Sequence, residues 1–89
     1  MTAKRIVVKG RVQGVFFRVH AKQKADALEL KGWAKNCEDG CVEMHVQGSP
    51  EKVLEMEEWC REGPPAAQVE HMVSTDVHAG KYDEFSIKD

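Results

Sequence analysis

The stretch with the most chemical content is Gly10-Arg11-Val12-Gln13-Gly14-Val15-Phe16-Phe17-Arg18. It joins a β-branched run to an apolar-periodic run, so it reads as a turn from a strand into a helix. Such a turn exposes several backbone N–H groups near a helix N-terminus, where unpaired donors and the helix dipole converge and anions bind. Arg18 adds a planar, permanently charged, bidentate donor suited to a phosphoryl group. The plain structural reading is that Gly14 makes a turn and Arg18 is a solvated helix residue. Charge distribution bears on that choice. Residues 1–25 hold seven basic side chains (Lys4, Arg5, Lys9, Arg11, Arg18, Lys22 and Lys24) and no acid, whereas the rest holds six basic and fifteen acidic ones. The net charge of −2 therefore hides a positive segment centred on the glycine turn, which draws small anions by focusing.

Several phosphate chemistries are excluded. The spacing from Gly10 to Gly14 and the lack of a following Lys-Ser/Thr rule out a Walker loop, and no dinucleotide fingerprint occurs. No cysteine has an arginine six positions on, and no Asp-x-Asp offers an aspartyl nucleophile. Neither a His-Glu-x-x-His nor a carboxylate cluster suggests a metal pair. His20 is two positions from Arg18 and, on a helix, points elsewhere. His45, His71 and His78 read as strand-surface residues, and Trp33 and Trp59 as core anchors. Cys37, Cys41 and Cys60 are an odd set, which suits free thiols in a reducing compartment. Cys37 and Cys41 could meet across a turn, but a structural zinc takes four ligands and only His45 is nearby, so no metal is expected.

The elements that must position these residues follow from pattern. Residues 4–12 are β-branched and predict a strand. Residues 17–30 predict a helix, with Phe17, Ala21, Ala25 and Leu28 in one apolar stripe and Gly32 as its stop. Residues 33–37 and 41–47 predict two strands around an Asp39-Gly40 hairpin turn. In the second, Val42, Met44 and Val46 alternate with Glu43, His45 and Gln47. Ser49-Pro50-Glu51 is a helix start, with Ser49 as N-cap; Val53, Met56 and Cys60 form its stripe, and Gly63-Pro64-Pro65 stops it. Residues 67–77 predict a strand with weaker alternation, and residues 84–88 a short last one. The order predicts an α+β fold: a ferredoxin-like α/β sandwich, βαββαβ, with an antiparallel sheet of four to five strands and two helices on one face. The chain reads as one domain, residues 1–89. No apolar run exceeds three residues, so a cytoplasmic protein without membrane span is expected.

What remains is a cationic cradle with no evident nucleophile, metal or paired carboxylates. That suits a reaction needing little more than positioning. An acyl phosphate is a mixed anhydride whose carboxylate leaves without protonation. Water need only be aimed in line at a phosphorus whose oxygens are held and partly neutralised. A side-chain amide can hold such a water. Asn36, in Gly32-Trp33-Ala34-Lys35-Asn36, offers one, although by residue type alone the plainer reading is an ordinary turn asparagine.

The chain resembles the acylphosphatase family. Gly10 to Arg18 is similar to its phosphate-binding motif. Gly32 to Asn36, followed by Asp39-Gly40-x-Val42-Glu43, is similar to its second motif. Gly48, Gly63-Pro64-Pro65-Ala66, Val69 and Phe85-x-Ile87 also fit, in order, over nearly the whole chain. The resemblance implies a five-stranded ferredoxin-like sandwich that hydrolyses the carboxyl–phosphate bond of acyl phosphates without metal or cofactor. It implies that Arg18 and the backbone amides of Gln13, Gly14, Val15, Phe16 and Phe17 bind phosphate. Asn36 would orient the attacking water, whose proton goes to a phosphate oxygen. Two positions depart from the family pattern, where Ala21 and Cys37 stand in place of frequent hydroxyl residues.

The expected partner is a small acyl phosphate, with no nucleic acid and no membrane, and the chain is expected to act as a monomer. The alternatives are a non-catalytic anion-binding or regulatory domain, and carbamoyl phosphate as substrate, since similar modules occur in a carbamoyl-transferring maturation protein. An RNA-recognition module shares the topology, but the central strands offer no aromatic platform.

Overall fold

The computed structural model describes residues 1–88. The elements run β1 (Thr2–Arg11), α1 (Phe17–Ala27), β2 (Lys31–Asn36), β3 (Val42–Gly48), α2 (Pro50–Glu62), β4 (Gln68–Asp76) and β5 (Phe85–Lys88). They form one five-stranded sheet in the order β4-β1-β3-β2-β5. The split βαβ order stands, but the sheet is mixed rather than wholly antiparallel, because β5 pairs parallel with β2. The reason is the route of the chain. β4 lies antiparallel on β1 and ends beside Lys4. Residues 77–84 then cross the sheet at that end, where Val77 N–H donates to Ala3 O and Gly32 N–H to Glu84 O. β5 must therefore run back in the direction of β2.

Period-two alternation builds the core. Ile6 and Val8 of β1, Ala34 of β2, Val42, Met44 and Val46 of β3 and Phe85 of β5 are fully buried. They pack against Phe17, Ala21 and Ala25 of α1 and Val53, Met56 and Cys60 of α2. Each buried side chain of the Val-to-Phe class contributes about 1.5–3 kcal/mol. Phe17 and Trp59 meet with ring centroids 5.4 Å apart, which ties one helix to the other. No helix among the described residues is long and apolar enough to cross a membrane.

Four local expectations change. First, α1 stops at Ala27, not near Leu30. Glu29 takes the left-handed conformation at φ 59 that ends the helix. Leu30 N–H reaches Ala25 O at 2.8 Å and Glu29 N–H reaches Asp26 O at 3.1 Å, the paired bonds of a Schellman ending. Buried Leu28 and Leu30 hold that ending in place. Second, Gly32 is not the helix stop but part of β2, where φ is 136 and a Cβ would fall 1.8 Å from His45 O. Third, His45 is 8% exposed, not a surface residue. Residues 77–84 cover it: its Nε2 bonds Gln47 Oε1 at 2.8 Å, and Gln47 exchanges two bonds with the main chain of Gly80. Fourth, Trp33 is half-buried on that same face, where its Nε1 donates to Tyr82 OH at 3.1 Å, and is not a core anchor. Ser49 does occupy the N-cap of α2, though its hydroxyl makes no capping bond.

A left-handed glutamate carries a cost that glycine avoids. Glu29→Gly is expected to raise stability by about 0.5–1 kcal/mol. The measurement is a urea midpoint at unchanged slope, and a lower midpoint would contradict the assignment.

Candidate active site

β1, β2 and β5 run in one direction, so their C-terminal ends lie together at one end of the sheet, beside the N-terminus of α1. β1 turns into the loop through an irregularity in its pairing with β4 between Lys9 and Gly10. A Cβ at Gly10 would sit 2.3 Å from Gln68 O, so the close approach of the two strands requires glycine. Within the loop, Val12 and Val15 are buried and anchor it to the core, while Gly14 and Phe16 face outward. Phe16 precedes the helix in a left-handed conformation, φ 60 and ψ 28, which costs about 1–3 kcal/mol for a bulky residue. Buried neighbours on both sides, Val15 and Phe17, hold it there.

This strained turn leaves an anion cradle. α1 has no side-chain cap and no acid in its first turn, so nothing on the helix offsets its positive end. The N–H groups of Gln13, Gly14, Val15, Phe16 and Phe17 donate to no protein acceptor among the described residues. Arg18 stands at the cradle with one nitrogen already committed: Nη1 donates to Lys88 O at 2.6 Å. The end of β5 thereby holds the guanidinium, and among the described residues its other N–H groups make no hydrogen bond. Lys22 Nζ donates to Phe85 O at 2.8 Å, so α1 is tied to β5 at a second point.

Asn36 ends β2, directly opposite Val42. It lines one cleft of about 250 Å³ with Arg18, Gly14, Phe16 and Phe17. Gln13 and Val15 do not line it: the Gln13 side chain turns to the hairpin and Val15 is buried. His20 is exposed and outside the cleft. Neither departure from the family pattern reaches it: Ala21 is fully buried in the core, and Cys37 lies on the other face of the sheet beside Arg5 and Lys9.

The side chain of Gln13 has a role that its residue type did not signal. Its Nε2 donates to Cys37 O and to Cys41 O, both at 2.8 Å. These carbonyls flank the mouth of the β2–β3 hairpin, one residue beyond Asn36. A single amide thus staples the β1–α1 loop to the strand end that carries Asn36.

The cysteines supply no nucleophile to the cleft. Cys60 is fully buried, and burial pushes its thiol up. Burial, with Cys37 and Asp39 alongside, pushes the Cys41 thiol up to about 12. The ligand atoms of Cys37, Asp39 and Cys41 lie within 4.8 Å of one another. His45, the fourth candidate, is turned to Gln47 instead. On the same face Glu43 bonds Arg5 and lies 3.5 Å from Lys35, bracing the hairpin across three strands. Burial raises the Glu43 carboxyl, but the Arg5 hydrogen bond and the charges of Arg5 and Lys35 outweigh it and hold the carboxyl below its ordinary value.

A family model for acylphosphatases matches residues 4–87. The chain belongs to the acylphosphatase family. An acylphosphatase of Syntrophus aciditrophicus is 41% identical over 83 residues, spanning 92% of this chain and 86% of its own. The crystal structure of acylphosphatase from Bacillus subtilis superposes with a TM-score of 0.95 at 36% identity, covering all of both chains. An acylphosphatase structure from Coxiella burnetii gives 0.94 at 37%, covering 98% of this chain and 92% of that one. The chain is thus an acylphosphatase-family enzyme with the family's ferredoxin-like fold.

The staple gives a test. Gln13→Ala removes two hydrogen bonds, although Cys37 O keeps the one from Gly40 N–H and Cys41 O the one from Cys37 N–H, and should lower stability by about 1–3 kcal/mol. It should also lower kcat by about 10- to 100-fold, because small misplacements of a positioning group are expensive. Gln13→Glu should not rescue, since a carboxylate donates nothing to either carbonyl. Full turnover in folded Gln13→Ala would show the staple to be dispensable. Glu43 gives a second. A depressed carboxyl stabilises the fold above its unfolded value, 4.5, and that contribution is lost as pH falls through the lower folded value. Acid unfolding followed by circular dichroism should therefore be shallower below about pH 4.5 in Glu43→Gln. An unchanged acid limb would mean the pair contributes nothing.

Proposed function

We propose that this enzyme hydrolyses the carboxyl–phosphate bond of acyl phosphates by in-line attack of a water held by Asn36 on a phosphoryl group bound by Arg18 and the loop amides. The observation that carries the reading is the convergence in one cleft of Gly14, Phe16 and Phe17 of the β1–α1 loop, a tethered guanidinium and a neutral side-chain amide. The amides and Arg18 neutralise the equatorial oxygens as charge spreads over them. Their geometry is fixed before substrate arrives, Arg18 by Lys88 O and the loop by buried Val12 and Val15. The carboxylate leaves as a stable anion and takes no proton. The water's proton passes to a phosphate oxygen, so no side chain acts as general base. The reaction proposed draws on no metal or cofactor, and all its groups come from one chain, so a monomer suffices.

The first test is hydrolysis of benzoyl phosphate, followed by loss of its ultraviolet absorbance. Turnover should be competitively inhibited by inorganic phosphate and unaffected by EDTA. Arg18→Ala should lower kcat/KM by about 10²–10³ and weaken phosphate inhibition, with Arg18→Lys close to it because the planar fork is lost. Normal turnover in folded Arg18→Ala would refute its role. The pH profile tests the absence of a protein base. Among the described residues, no histidine, carboxylate or thiol lines the cleft. Between about pH 5.5 and 8, kcat should vary less than about twofold. A bell centred near the histidine range, abolished in His20→Ala, would assign the proton to His20 instead.

A further inference from the structure

Cys37 and Cys41 face each other at the open end of the β2–β3 hairpin. Asn36 pairs with Val42, so these cysteines are the next pair of the ladder, and Cys37 N–H donates to Cys41 O at 2.8 Å. Residues opposed in this way carry their side chains on one face. Such a pair holds its Cα atoms about 4.5–5.5 Å apart, inside the span of about 4.4–6.8 Å that a disulfide bridges. The two sulfurs lie within 4.8 Å of each other. The turn keeps them there: Gly40 N–H donates to Cys37 O and Cys41 N–H to Asp39 Oδ1, both at 3.2 Å.

The two thiols differ in access. Both line an open groove of about 530 Å³ on the sheet face away from the helices, with Arg5, Lys9 and Asp39. Cys37 is half-buried, whereas Cys41 is 5% exposed. Burial, with Cys37 and Asp39 alongside, pushes the Cys41 thiol up to about 12. A solute therefore meets the Cys37 sulfur first, with Cys41 behind it. Cys60 is fully buried in the core, away from the pair. A metal ion fits this cluster less well. Cys37, Asp39 and Cys41 give three ligand atoms, while His45 is turned to Gln47 and Glu43 is engaged by Arg5 and Lys35.

We propose that Cys37 and Cys41 are a redox modification site, whose dithiol closes to an intramolecular disulfide by exchange with a low-molecular-weight disulfide, and that closure lowers turnover by displacing Asn36. Cys37, as its thiolate, attacks one sulfur of the small disulfide. A mixed disulfide forms, and the thiolate released takes a proton from solvent. The Cys41 sulfur then attacks Cys37 Sγ and gives its own proton to solvent. The Cys37–Cys41 bond forms, the mixed disulfide breaks, and a second small thiol leaves. Two electrons pass from the protein dithiol to the oxidant, which ends as two thiols. The link to the cleft is the main chain. Cys37 directly follows Asn36, and the carbonyls of Cys37 and Cys41 are the two that Gln13 holds. Drawing the sulfurs in to about 2.05 Å turns this main chain and with it the end of β2. Arg18 is tied to Lys88 O instead, so phosphate binding does not follow.

The test equilibrates the full chain with mixtures of cystine and cysteine, alkylates the free thiols and reads the intact mass. The expected product has lost two hydrogens and keeps one alkylatable thiol, Cys60. Cys41→Ser should stop with one cysteine attached to Cys37, and Cys37→Ser should keep both remaining thiols free. With benzoyl phosphate, the closed chain should show a kcat about tenfold lower, inhibition by inorganic phosphate within about twofold, and recovery in dithiothreitol. Cys37→Ser should hold the kcat of the reduced parent in every mixture. Three alkylatable thiols at every ratio, adducts on both cysteines without closure, or a disulfide between two chains overturns the site. A closed chain with the kcat of the reduced one, or an equal loss of turnover and phosphate affinity, overturns its control of Asn36. The kinetic arm rests on the acyl-phosphate reading proposed above. Turnover by neither form overturns that reading, and the control of turnover with it, whereas closure is read by mass without any substrate.

Discussion

One side-chain amide holds the two halves of this site together. Gln13 leaves the phosphate-binding loop and donates to two carbonyls at the mouth of the β2–β3 hairpin. Without those bonds, the β1–α1 loop and the strand end that carries Asn36 would be joined through the sheet across β3 and through the packing of α1 on β2. Each bond adds a second donor to a carbonyl that the hairpin already engages, Cys37 O with Gly40 N–H and Cys41 O with Cys37 N–H, and the two together favour the docked arrangement. The strained Phe16, the unpaired loop amides and the tethered Arg18 all take their place relative to Asn36 from it.

Topology supplies the rest of the geometry. A parallel β1–α1–β2 relation puts a helix N-terminus and a strand C-terminus at the same end of the sheet, and a parallel β5 brings the chain's last strand there too. On the proposed reading, most of the anion-binding groups come from main chain, where they cost no side-chain entropy, and a single arginine completes them. The opposite face has a different task. Residues 77–84 strap across it, with Gln47 gripping Gly80 and Tyr82 meeting Trp33, and this crossing allows β5 to arrive in the parallel sense. A segment distant from the cleft thus determines where Lys88 O meets Arg18.

Arg18 stood out in the sequence by residue type and Asn36 through the family resemblance, and the structure brings the two to one cleft. The elements were legible because their apolar periods are clean. β4 read weakly for a physical reason: it is an edge strand, with Val69 and Met72 only partly buried. The hidden features depend on contacts between distant segments. His45 alternates as a surface residue within β3, and only the strap from residues 77–84 buries it. Gly32 has the look of a helix stop, yet the demand for glycine comes from His45 across the sheet, while Glu29 ends the helix. Gln13 lies inside the loop motif, but nothing in its type says that its side chain turns away from the anion to staple the hairpin.

The central claim is that Asn36 acts on the attacking water and Arg18 on the phosphoryl group, from separate elements of one cleft. Steady-state hydrolysis of benzoyl phosphate by Asn36→Ala, with inorganic phosphate as competitive inhibitor, tests it most directly. The expected result is a fall in kcat of about 10²-fold or more with phosphate affinity unchanged. An equal loss of turnover and phosphate affinity, or unchanged turnover in the folded variant, would contradict it.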